Sequence, residues 1–149
     1  MITVKRTNSE NSDFIRLVRL LDEYISIMDG SEHVFYAQFN KLDMIKHVIV
    51  LYENDLPVSC GAMKEFSNDS MEIKRMFTLS THRGKGLAGK VLAELENWAG
   101  ELNYKKCVLE TGKKFSAAIA LYSNKGYKSI ENYGQYKGVI NSVCFEKLL

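Results

Sequence analysis

The stretch Arg83-Gly84-Lys85-Gly86-Leu87-Ala88-Gly89-Lys90 constrains this chain more than any other segment. It lies between an alternating run, Met71 to Leu79, and a helical stripe of Leu87, Val91, Leu95, Trp98 and Leu102. Glycines in such a loop let the backbone come close to a bound group. The first turn of the helix leaves its N–H groups unpaired, and the helix dipole adds partial positive charge there. Strand, glycine loop and helix together read as a phosphate cradle. The plainer alternative is that the glycines serve only a tight turn.

Around this unit the hydrophobic periods predict a mixed α/β order. Ile2 to Thr7 alternates as a first strand, and Phe14, Leu17, Val18, Leu21, Tyr24, Ile25 and Met28 form one stripe of an amphipathic helix stopped by Gly30. His33 to Asp43 is aromatic with weak periodicity and reads as a short helix or an irregular loop. His47 to Tyr52 and Val58 to Phe66 form a hairpin across the break Glu53 to Pro57. In the next strand, Met71, Ile73, Arg75, Phe77 and Leu79 are expected on one face, with Glu72, Lys74, Met76 and Thr78 on the other. Cys107, Val108 and Leu109 in a row suit a strand covered on both faces, a parallel neighbour of the one before the helix. Ser116 is expected to cap a short helix ending before Gly126, and two strands follow, near Tyr127 to Glu131 and Ser142 to Leu148.

Composition sets the class. The 149 residues carry 20 basic and 18 acidic side chains, 46% hydrophobic residues and a single Pro, so one folded domain spanning residues 1–149 is expected. The charges are nearly balanced and interspersed, which lends no support to a nucleic-acid or anionic-membrane partner. No apolar run approaches the roughly 20 residues that cross a bilayer, and Met1 to Asn11 does not read as a signal peptide, so a cytoplasmic location is expected. Cys60, Cys107 and Cys144 lie far apart in apolar runs, and His33, His47 and His82 are scattered. The cysteines therefore read as buried free thiols, and no metal is assigned.

Two phosphate motifs nearly fit the glycine loop. Gly84-x-x-x-x-Gly89-Lys90 matches a P-loop until Val91, which cannot supply the magnesium-binding hydroxyl. Gly84-x-Gly86-x-x-Gly89 satisfies the dinucleotide fingerprint, and Glu110 follows 21 residues after Gly89, where a ribose-binding acid belongs. Against that reading, only 39 residues follow Glu110, and the strands before the loop read as an antiparallel meander.

A third pattern, Arg83-x-x-Gly86-x-Ala88, is joined downstream by Ala118-x-x-Leu121-Tyr122-x-x-x-Gly126-Tyr127. On these two motifs in register the chain resembles the GNAT acyltransferase superfamily, over nearly its whole length. Glu72-Ile73-Lys74-Arg75-Met76, Leu109-Glu110-Thr111-Gly112 and Val143-Cys144-Phe145-Glu146-Lys147 resemble a bacterial branch of small stand-alone acetyltransferases. The resemblance implies an α/β fold of order β-α-α-β-β-β-α-β-α-β-β, its mixed sheet splayed between strands 4 and 5. It implies acetyl-CoA as acyl donor, bound by Arg83, Gly84, Lys85, Gly86, Leu87, Ala88 and Gly89, with the backbone of Met76, Phe77 and Thr78 along the pantetheine. Many members carry Asn at the position of Phe115, so the backbone is expected to hold more of the cofactor's middle section here.

The same resemblance implies direct attack by a primary amine of a small molecule, without a covalent enzyme intermediate. Tyr122 is the candidate general acid, since a phenol stays protonated at neutral pH; its alternative role is an aromatic packed on the sheet. Glu72 is the candidate base, and its alternative is a carboxylate paired with Lys74 or Arg75. A backbone N–H near Met76 or Phe77 faces the thioester oxygen. His33, Phe35, Tyr36, Tyr133 and Tyr136 flank the thioester end in similar proteins and are the candidate acceptor pocket. A protein or peptide amine as acceptor, and a CoA-binding sensor without turnover, are the rival functions. A homodimer is allowed but not encoded in any motif.

Overall fold

The computed structural model describes residues 1–30 and 44–149. Seven strands form one sheet in the order β1-β2-β3-β4-β5-β7-β6. They are β1 (Ile2–Thr7), β2 (His47–Glu53), β3 (Leu56–Ser67), β4 (Ser70–Thr78), β5 (Lys106–Gly112), β6 (Lys128–Ile130) and β7 (Ser142–Leu148). Three described helices accompany them: α1 (Ser12–Asp29), α2 (Leu87–Glu101) and α3 (Ser116–Asn124). The expected order of strands and helices along the chain therefore stands for the described residues; the second helix expected from the resemblance, and the His33 to Asp43 reading, lie outside them.

The apolar run of β2 is continuous because both faces are covered. Val48 and Val50 pack with Phe14, Leu17 and Val18 of α1, whereas Ile49 and Leu51 join Val91, Leu92 and Leu95 of α2. Each fully buried aliphatic side chain of this kind contributes about 1.5–3 kcal/mol. Asn11 starts α1 by accepting the N–H of Phe14 at 2.9 Å. The β2–β3 hairpin closes in only two residues, Asn54 and Asp55, both left-handed at φ 50° and 67°, a conformation that matches strand twist. Ser116 is the first residue of α3 rather than its cap; Phe115 holds the cap position and makes no side-chain hydrogen bond.

The expected alternation along β4 breaks at Arg75. Cys60 pairs with Phe77 and Ala62 with Lys74, so Gly61 alone faces two residues, Arg75 and Met76. Arg75 is the bulged residue, at φ 60°. The extra residue changes the face of everything after it. Met71, Ile73 and Met76 pack toward α2, while Arg75 pairs with Asp22 of α1 and Phe77 packs against the α1 cluster. Ile73 and Phe77 thus lie on opposite faces, contrary to a simple period of two.

Glycine at 61 lets this bulge close. A Cβ there would stand 2.5 Å from Met76 Sδ and 2.9 Å from Val91 Cγ1. Gly61→Ala is expected to lower stability by about 1–3 kcal/mol, read as a fall in Tm of about 2–4 °C per kcal/mol. An unchanged Tm contradicts the close packing behind the bulge.

Candidate active site

β4 and β5 run parallel, as the sequence implied, but pair only at Ser70–Glu72 against Lys106–Val108. Beyond Glu72 the strands part, leaving the β5-facing backbone edge of Ile73 to Thr78 without a strand partner among the described residues. A cleft of about 620 Å³ opens in the gap. Its walls are α1, β4, the glycine loop, the end of β5 and the start of α3.

At one end stands the cradle. Gly84 and Gly86 are left-handed, at φ 80° and 78°, and a Cβ at either would meet no atom within 4 Å. Gly86 caps α2 without a side-chain hydrogen bond, and no acidic side chain occupies the first turn. The free N–H groups of Leu87, Ala88 and Gly89 and the open glycine faces fit a diphosphate. Lys125, just after α3, lies behind Gly89 rather than along the cleft; its Nζ would lie 3.3 Å from a Cβ on Gly89, a proximity with no sign in the sequence.

The basic residues of the loop divide. Arg83 lines the cleft, its Nε donating to the Thr78 carbonyl at 3.1 Å and its guanidinium over Tyr24 and Phe77 at 5.2 and 5.8 Å. Lys85 does not line the cleft; its Nζ is 3.4 Å from Glu53. Phe115 packs its ring 5.9 Å from that of Tyr24, making an apolar wall of the cleft. Lys114 joins the two lips by donating to the carbonyls of Met28 and Asp29 at 2.9 and 3.3 Å, a cation at the end of α1.

At the other end the polar side chains gather. Glu72 is engaged at both oxygens, accepting from Tyr133 Oη at 2.6 Å and pairing with Lys74 at 3.4 Å. Glu110 also lines the cleft. Burial lifts its carboxyl to about 7, against the lowering pull of a Ser142 hydrogen bond and of Lys74. Tyr122 projects from α3 with its ring 5.8 Å from Tyr127 and 6.3 Å from Phe145. Burial, with Glu110 nearby, pushes its phenol above the ordinary tyrosine value, so it is neutral at physiological pH.

Of the residues expected at the site, Met76, Phe77, Thr78, Arg83, Gly84, Gly86, Leu87, Ala88, Gly89, Glu72, Tyr122 and Tyr136 all line this cleft. Tyr133 reaches it through Glu72, and His33, Phe35 and Tyr36 lie outside the described residues. Arg75 and Glu110 were not expected as site residues. Glu110 had a signal, its place at the end of the strand after the glycine helix; Arg75 was hidden by the bulge. The described residues hold no group of three or more metal-ligating side chains. None of the described helices is long and apolar enough to cross a membrane. All three cysteines are free and buried.

A family model for acetyltransferase (GNAT) matches residues 14–127. The uncharacterised N-acetyltransferase YsnE of Bacillus subtilis (strain 168) is 36% identical over 100 residues, 66% of this chain and 66% of the relative. The uncharacterised N-acetyltransferase YjgM of Escherichia coli (strain K12) is 39% identical over 114 residues, 74% of this chain and 60% of the relative. The chain thus spans about two-thirds or less of the length of these two proteins. A crystal structure assigned as an acyl-CoA N-acyltransferase from Klebsiella pneumoniae is similar at TM-score 0.83 and 28% identity, covering 100% of this chain and 98% of that one. With its cradle, its parted strands and a matching family model over residues 14–127, the chain belongs to the GNAT family of acetyltransferases.

Proposed function

We propose that residues 1–149 work as one cytoplasmic enzyme that moves an acetyl group from acetyl-CoA to a primary amine of a small molecule, by direct attack in a ternary complex. The observation that carries this reading is the cleft itself. A helix N-terminus suited to a diphosphate and an unpaired strand edge suited to a pantetheine arm lead to two carboxylates and a buried tyrosine. A concave cleft of about 620 Å³ lined by these groups has room for a small acceptor beside the donor. Glu110, Tyr122 and Glu72 gathered there favour turnover over a sensor role.

The donor supplies an activated thioester carbonyl; the chain supplies position, charge and proton traffic. The β4 edge at Met76 and Phe77 offers a backbone N–H to the developing oxyanion. The amine nitrogen forms a bond to the carbonyl carbon, the C–S bond breaks, and the proton lost by nitrogen goes to a carboxylate, directly or through one water. Between the two candidates, Glu110 suits the role of base better than Glu72. A carboxyl near 7 accepts a proton at working pH and holds it more firmly than an ordinary one, whereas Glu72 is occupied by Tyr133 and Lys74. Tyr122 stays protonated and donates a hydrogen bond to the departing sulfur. Its raised pKa makes complete transfer uphill, so its main work is to stabilise the thiolate.

Thiol release with a panel of amines, polyamines, aminoglycosides and peptides tests the activity. Acetyl-CoA binding without transfer to any of them supports the sensor, and transfer to peptides alone supports the protein-directed rival. Tyr122→Phe is expected to lower kcat by about 100-fold with CoA affinity nearly unchanged; an unchanged kcat removes Tyr122 from the chemistry.

Wild-type kcat/KM is expected to rise with pH to a plateau, with a midpoint near 7. Glu110→Gln is expected to lose about 100-fold and that midpoint, while Glu72→Gln keeps it. The reverse pattern returns the base to Glu72. The same burial acts on stability: Glu110 ionises more readily in the unfolded chain, so wild type loses stability as pH rises from the ordinary carboxylate range through about 7. Glu110→Gln should therefore melt above wild type at pH 8, the gap closing toward pH 4.5. A constant gap across that range contradicts the raised pKa.

A further inference from the structure

The β4 bulge leaves Arg75 with unused donors. Its side chain is only 3% exposed, and its Nη1 donates to Asp22 at 3.0 Å. Nε and Nη2 are buried and have no hydrogen-bond partner. These two N–H groups lie on one edge of the guanidinium and point the same way, the fork that takes both oxygens of a planar carboxylate. A buried donor without a partner is costly, more so on a charged group. Arg75 also carries the strain of a left-handed backbone, at φ 60°. A purely structural partner for Asp22, itself 48% exposed, needs neither the burial nor the two unpaired donors.

Arg75 lines the same cleft as Glu110 and immediately precedes Met76, where β4 presents its free edge. Building on the transferase reading above, we propose that the acceptor is an amine that also bears a carboxylate, an amino acid, with its carboxylate held by the free edge of Arg75. A monoanion suits the position. Glu72 and Glu110 line the same space and repel a dianion such as a phosphate monoester. Lys74 beside Glu72 offsets part of that negative charge. Arg75 and Glu110 line one cleft, so an acceptor held at Arg75 shares its space with the carboxylate assigned as base.

The proposal is tested first on the wild-type protein. Thiol release is measured for the twenty protein amino acids, each against its own carboxamide, with tyramine and spermidine as acid-free amines. The expected result is an amino acid whose kcat/KM exceeds that of its amide by about 100-fold or more, because the amide leaves the buried cation unpaired. Arg75→Met should raise KM for that acid by about 100-fold and bring the acid-to-amide ratio toward one, and Arg75→Lys should recover part of it. Acids and amides used equally well, or tyramine or spermidine preferred, overturn the carboxylate site while leaving the transferase reading intact.

Calorimetry separates the two readings without turnover. N-acetyl amino acids should bind to CoA-saturated protein, and the matching N-acetyl amides should not. If no amine is acetylated but that selectivity is present in wild type and absent in Arg75→Met, the site stands and the transferase reading falls. Equal binding of acid and amide, or none, overturns the site.

Discussion

The cleft exists because β4 and β5 are hydrogen-bonded over three residues and then separate. A parallel pair that continued would satisfy every backbone group between them and leave no room for a ligand. The separation exposes one edge of β4 from Ile73 onward, and the bulge at Arg75 turns the strand just where the gap opens. Exposed strand edges are ordinarily a hazard, since they pair with whatever strand arrives. Here the edge lies in a cleft walled in part by α1 and α3, a shape with room for a narrow, extended ligand.

Charge is arranged along the cleft in the same order as the chemistry it would serve. Unpaired helix amides lie at the cradle, the Arg83 guanidinium stands over the Tyr24 and Phe77 rings, and Glu72 and Glu110 are kept to the far end. Glu72 and Glu110 are close enough in environment to affect one another, yet differ in circumstance. One is tied to Tyr133 and Lys74, while the other is left with a raised affinity for protons. Two carboxylates in such different surroundings can divide an anchoring task from a proton-accepting one.

Much of this is legible in the amino-acid sequence. The succession of strands and helices follows from local hydrophobic patterns, a period of 3.6 in α1 and α2 and a continuous apolar run in β2. The glycine loop was legible because left-handed backbone and close approach both demand glycine, and Gly84 and Gly86 meet that demand. What was missed depends on a single extra residue or on distant partners. Nothing local announces that Arg75 would take φ 60°, and the slip it causes sends Phe77 and Met76 to faces opposite those an even alternation assigns. Ser116 looked like a cap by type, but the turn after Gly112 brings Phe115 to that position. The pairing of Glu72 with Tyr133 spans 61 residues, and the burial that lifts Glu110 is a property of the assembled cleft.

Residue-resolved hydrogen exchange, with and without acetyl-CoA, tests the central claim most directly. The account predicts slowed exchange at the amides of the first turn of α2, Leu87 to Gly89, together with those along the free edge of β4 between Met76 and Thr78. Protection confined to other strands, or no change at either segment while the ligand is bound, would contradict it.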